Sequence, residues 1–275
     1  MSDVSPMAAE SGAVAAAGQV HEPTIRGLPE GYRYGVTRYA DVILSASLPE
    51  RLADIVHSLH IYHPHLDELI AGGGGRTEFT RRFDDSLAAQ TRDGVPAWGK
   101  RNITITKTVG FDDRPEQVIR VRSHEIDMFG VGSATAPFPG VAVEMEWNNK
   151  DPFYDRDLSN FQALHHEGAI AVGVIVTRGP RLQQLLALAL DKYGSASTHW
   201  DKLIPRVNLG GGGECPLLLI GIEPERITDV GRANARAVAL ETAEHFRQTW
   251  RDHGYQRWAD AAARYEQMKA AAPAL

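Results

Sequence analysis

Three acidic residues carry the most chemistry in this sequence. Glu144 and Glu146 stand two apart in the run VAVEMEW, Val141 to Trp147. Alternate side chains of a β-strand share a face, so the two carboxylates project together while Val143, Met145 and Trp147 form an apolar opposite face. Like charges about 4–6 Å apart repel by roughly 1–4 kcal/mol, depending on the local dielectric. Burial adds a desolvation cost. A divalent cation relieves both. A third carboxylate, Asp127, ends the preceding extended run EIDMF, and the Gly/Pro-rich segment 129–140 between the two runs reads as a loop. If the strands pair, Asp127 lies beside Glu144. Hard oxygen donors in this number suit Mg²⁺, which keeps several waters and is usually held by one or two carboxylates plus phosphate.

The elements that must position these acids are readable from periodicity. LPERLADIVHSLHIY (48–62) places Leu48, Leu52, Ile55, Val56 and Leu59 at helical spacing, and RTEFTRRFDDSLAA after the first tetraglycine reads as a second helix. A β-rich block follows: NITITKTV (102–109) and VIRVRS (118–123) alternate, then EIDMF and VAVEMEW. The second half switches to strand–helix alternation. Residues 155–167 read as a helix with Asp155 as N-cap and Gly168 past its end. AIAVGVIVT and CPLLLIGI are continuous apolar runs, as expected of strands buried on both faces. Residues 180–193 read as a helix opened by Pro180, and residues 231–250 as a long one. The pattern predicts an α/β protein with a mixed central β-sheet flanked by helices.

Composition narrows the class. The 275 residues are 43% hydrophobic, enough for a sizeable core, and no apolar run reaches the roughly 18 residues of a membrane span. Residues 1–22, rich in Ala, Gly and Ser and without Lys or Arg, read as a flexible tail, and residues 23–275 as a single domain. Cys215 is the only cysteine, which excludes an intramolecular disulfide and fits a reduced, cytoplasmic setting. Its position before PLLLIGI marks it as a buried thiol rather than a nucleophile. The net charge of -6 argues against a protein that coats nucleic acid indiscriminately, but leaves room for a local basic cleft.

The stretch 123–161, SHEIDMFGVGSATAPFPGVAVEMEWNNKDPFYDRDLSNF, carries a family resemblance. Asp127 followed by Glu144-Met145-Glu146 on adjacent strands resembles the PD-(D/E)XK nuclease core of type II restriction endonucleases, and EMEWNNKDPFYDRDLSNFQALHHEGAIAVGVIVTR is similar to the BglII-type family. Glu146 stands where most of that superfamily carries lysine, as in the BamHI branch. The resemblance is strongest over residues 123–178, weaker over 198–222, and loose over 72–98. It implies a restriction-endonuclease-like fold and Mg²⁺-assisted hydrolysis of phosphodiesters in double-stranded DNA. Asp127, Glu144 and the Met145 carbonyl would hold the metal, and Glu146 would orient or deprotonate the attacking water. The products implied are a 5′-phosphate and a 3′-hydroxyl. A homodimer matching a palindromic site and a cognate DNA methyltransferase are also implied. Two rivals remain: a defence nuclease or toxin acting on modified DNA or RNA, and a catalytically silent DNA-binding protein of the same fold.

Other features carry weaker chemistry. Glu78 is either an additional acid for the centre or a solvated helix residue. Lys150 either meets a phosphate or lies on the surface. Lys100, Arg101, Lys107, Arg120 and Arg122 could flank a DNA cleft or simply solvate a strand face. His57, His60, His63 and His65 lack the partners of a zinc site, and His165 and His166 suit the end of a helix. The tetraglycines at 72–75 and 210–213 match no phosphate-loop pattern and read as loops.

Overall fold

The computed structural model describes residues 18–71, 77–133, 135–147, 149–150, 152–190 and 198–275. In chain order these form β1 (Tyr32–Val36), α1 (Ala40–Ser47), α2 (Pro49–Ile61), α3 (Leu66–Ala71), α4 (Glu78–Ala88), β2 (Thr91–Arg92), β3 (Val95–Pro96), β4 (Trp98–Arg101), β5 (Thr104–Val109) and β6 (Gln117–Arg122). There follow β7 (Ile126–Gly130), β8 (Gly140–Met145), α5 (Pro152–His166), β9 (Ile170–Arg178), α6 (Pro180–Leu190), α7 (Trp200–Asn208), β10 (Leu217–Ile222), α8 (Val230–Thr249) and α9 (Trp258–Ala270).

Six strands make one sheet in the order β1-β10-β9-β8-β7-β4. Its centre, β8, β9 and β10, is parallel, and β7, β4 and β1 are antiparallel to their neighbours. The mixed, helix-flanked sheet expected from the alternating pattern is present. Every residue of β10 and all but Ala171 of β9 are buried, which explains why those runs lack a polar alternation. On one face Val141, Val143, Met145, Val172, Val174 and Val176 pack under α1, α2, α4, α6 and α8. On the other, Ala142, Ile175, Leu217 and Leu219 meet Tyr154, Leu158 and Phe161 of α5 and Leu203 of α7. The period-two alternation of the strands divides the core between the two faces.

Several boundaries differ from the sequence expectation. Helix α5 begins at Pro152, whose fixed φ suits a first helical turn, so Asp155 lies within that turn rather than capping it. Gly168 closes α5 with φ +70, the left-handed region that expects glycine. The alternating runs around residues 104–109 and 117–122 do not join the main sheet. They pair only with each other, as a separate two-stranded ribbon with nearly every residue exposed. Alternation specified strands, but of their apolar side only Ile105 packs against the core, while Val109, Ile119 and Val121 stay exposed. Of the expected N-terminal tail, residues 1–17 lie outside the described residues, while His21 exchanges both backbone hydrogen bonds with Val36, at 3.0 and 2.8 Å. The tetraglycine at 72–75 and residues 191–193 also lie outside the described residues. Gly210 to Gly213 form the turn that follows α7 and lead to β10. Among the described residues, no helix is long and apolar enough to cross a membrane.

Candidate active site

Register places the acids. Strands β7 and β8 pair Met128 with Val143, and one step further along that antiparallel register Asp127 faces Glu144. On its other side β8 runs parallel to β9, with Glu144 beside Ile175. The Glu146 amide donates to the Val176 carbonyl at 2.9 Å, so the extended backbone continues past Met145. Glu144 and Glu146 therefore emerge on the α5 face of the sheet, while Val143, Met145 and Trp147 pack into the opposite core. Trp147 is fixed there by an edge-on contact with Phe79 of α4, ring centroids 4.9 Å apart, and by the Arg178 guanidinium 5.4 Å from its ring.

The electrostatics are those of an acidic cluster short of positive charge. Glu144 and Glu146 are each only 2% exposed. Burial holds the Glu144 carboxyl well above the usual carboxylate range. The nearby charges of Asp127 and Asp157, a hydrogen bond to Asp127 and the Glu146 charge push the same way. Glu146 is pushed up to about 8, first by burial and then by the charge of Asp157 and a hydrogen bond to it. The side-chain amide of Asn149 donates to Glu146 Oε2, and Arg156 lies 3.5 Å from its Oε1, both opposing the rise. Glu144 Oε1 is buried and meets no hydrogen-bond donor among the described residues.

Sequence reasoning missed Asp157. It lies on α5, 1% exposed, and accepts from Arg156 Nε at 2.8 Å. Its Oδ2 is also buried without a donor among the described residues. Its burial raises its own pKa, against the pull of Glu146 and Arg156. Arg156 in turn stacks over Phe153 at 4.6 Å. A signal exists in the sequence: Asp157 falls within the inward stripe Tyr154, Leu158, Phe161 and Leu164, where a solvated charge has no place.

These groups open onto a cleft of about 310 Å³, whose wall includes Lys100, His124, Asp127, Glu144, Glu146 and Arg156. A larger groove of about 710 Å³ lies between the β5–β6 ribbon and α5, but it is mostly apolar and contains none of the three acids. Chemistry, not volume, singles out the smaller cleft. Met145 lines it too. The donor set fits a hard cation: two adjacent carboxylates, one with a donorless buried oxygen, on a strand whose backbone reaches the same cleft. Among the described residues, no group of three or more His, Cys, Asp or Glu side chains is placed to hold a metal ion by itself. Mg²⁺ does not need one, because it retains waters and takes substrate oxygens.

The remaining candidates separate cleanly. Glu78 is exposed and ion-paired with Arg81, while Thr77 and Thr80 of the same region reach the cleft. Lys150 is exposed and outside the cleft wall, whereas Lys100 lies on it and pairs with Glu125 at 2.9 Å. Lys107 is paired with Glu167. His63 lies 3.0 Å from Arg226, not at a metal cluster, and His165 Nδ1 is 3.0 Å from the Ile170 carbonyl. Burial pushes the Cys215 thiol up to about 12, leaving it inert as expected.

No curated protein matches the chain. A family model, described as restriction endonuclease BglII/BglIII, matches residues 32–222, which runs from the first residue of β1 to the last of β10 and so takes in the whole six-stranded sheet and the acidic cleft. With well over half of its length matched, and its sheet and cleft inside the match, the chain belongs to the BglII/BglIII restriction endonuclease family.

Proposed function

We propose that this restriction endonuclease cuts duplex DNA at a short specific site in a Mg²⁺-dependent reaction, as a PD-(D/E)XK enzyme of the branch with glutamate in the lysine position. The observation that carries the reading is Asp127 beside Glu144, whose buried Oε1 lacks a donor among the described residues, at the wall of an open cleft. Asp127, Glu144 and the Met145 carbonyl are the groups that would hold the ion. When bound, it would acidify a water and offset charge developing on the phosphoryl oxygens. Glu146 accepts the proton of the attacking water. Asn149 and Arg156 hold its carboxylate in place, and Lys100 is placed to meet a phosphate at the cleft wall. A homodimer would match the two-fold symmetry of a palindromic site, and a cognate methyltransferase would protect the host's own sites.

Digestion of a sequenced plasmid with and without Mg²⁺ tests the reading, with the cut ends mapped by sequencing. The expected result is a reproducible short motif, cut only with the metal and not by Glu144→Ala. Equal cleavage by wild type and Glu144→Ala across Mg²⁺ concentrations would sink the site assignment. Random nicking or RNA decay would favour a defence nuclease, and binding without any cutting a silent DNA-binding protein.

A further inference from the structure

The β5–β6 ribbon plays no part in the six-stranded sheet. A two-stranded ribbon on its own is marginally stable in water, so its retention calls for a partner. Its pairing, Thr104 with Arg122, Ile105 with Val121, Thr106 with Arg120 and Lys107 with Ile119, sorts the side chains onto two faces. Ile105, Lys107 and Val121 line the groove over α5, and Lys107 is tied to Glu167 beyond that helix. That face looks inward. The other face presents Thr104, Thr106, Arg120 and Arg122 outward, all exposed.

Position and charge say what the outward face meets. The ribbon leaves the sheet at Arg101 and returns at Ile126, the residue before Asp127, and those two residues are paired. Its root is therefore next to the cleft. Lys100, Arg101, Arg120 and Arg122 gather at that root, whereas the tip carries Asp112, Asp113 and Glu116 against Arg114. On a chain of net charge -6, the basic root is a local exception. Strands of this length extend about 20 Å, and the major groove admits a two-stranded ribbon.

We propose that the ribbon is a DNA-contacting arm, whose outward root face of Thr104, Thr106, Arg120 and Arg122 binds the sugar–phosphate backbone beside the scissile phosphate. This rests on duplex DNA being the substrate. The arginines neutralise phosphates and the threonine hydroxyls donate to phosphate oxygens. The face supplies affinity and register rather than base reading.

The test uses the full chain in EDTA, so that nothing is cut, and a random-sequence duplex, with anisotropy recorded as salt rises. Removing one cation that neutralises a phosphate lowers the slope of log affinity against log salt by about 0.9, so Arg120→Gln/Arg122→Gln should lower it by about 2. Between 50 and 200 mM salt the double variant should then lose about tenfold less affinity than wild type does. Lys107→Gln, on the inward face, should leave the slope unchanged. In plasmid cleavage the double variant should raise KM and keep kcat. An unchanged slope in the double variant overturns the arm, as does an equal change in Lys107→Gln. A shift of oligomeric state without a change of slope makes the face a contact between copies and also overturns it. Wild type that binds and cuts DNA while the slope test fails removes the arm alone. Wild type that binds no duplex removes the arm together with the reading it rests on.

Discussion

Replacing Glu146 by glutamine should flatten the pH dependence of stability in the metal-free protein. Burial and Asp157 raise the Glu146 carboxyl from 4.5 to about 8 in the folded state. Between those values the folded chain holds a proton that the unfolded chain has lost. Unfolding free energy then falls by about 1.4 kcal/mol per pH unit. The contribution is fully present below about 4.5 and is lost as pH rises through about 8. Across that window the ceiling is about 5 kcal/mol, which matches the lower end of typical domain stability. Glu144 is shifted in the same direction and steepens the fall, and because these carboxyls titrate together, the measured slope belongs to the cluster. Urea unfolding in EDTA at several pH values between about 5 and 8 reads it directly. Wild type should weaken with rising pH, and Glu146→Gln should weaken less, by about 1.4 kcal/mol per pH unit. A flat wild-type profile, or the same slope in both proteins, would refute the reasoning.

Three further outcomes follow from the packing of the core. Tyr154→Phe removes the buried hydroxyl that pairs with Thr177 Oγ1 at 2.7 Å, and chemical denaturation should show a loss of about 1 kcal/mol. Gly173→Ala would set a Cβ 2.3 Å from Phe161 Cδ2, forcing α5 off β9, and a destabilisation of about 1–3 kcal/mol or more is expected in thermal or urea unfolding. Cys215, buried with its thiol pushed up to about 12, should resist iodoacetamide in the native protein near pH 8 and react once the chain is unfolded, a contrast readable by mass spectrometry.

The three acids were legible because their spacing conflicts with their surroundings: Glu144 and Glu146 share a period-two face in a strand otherwise apolar, and Asp127 lies in the run before it, near the start of β7 rather than at its end. The helices at 49–61 and 180–190 were legible from apolar spacing, and the one at 230–249 was read simply as a long helix. Partners of distant segments were not. Strand β1 is short, and its pairing with β10, far along the chain, leaves no local trace. The ribbon strands alternate like sheet strands, and only the fold reveals that they pair with each other outside the main sheet. Asn149, Arg156 and His124 join the cleft, and Asp157 joins Glu146 behind it, through tertiary placement. Of these, only Asp157 left a mark in the sequence, as a charge inside an apolar helical stripe.

The dependence of β8 on β9 has a consequence for how the protein comes into being. All three acids are synthesised before Ile170, yet Glu144 and Glu146 are held in line by the strand that begins there. A chain halted before β9 would contain every acidic group and still be unable to align them. A nascent molecule therefore cannot form the acidic cleft until its second half has emerged and docked, so the cleft arrives as a late, abrupt step rather than growing with length.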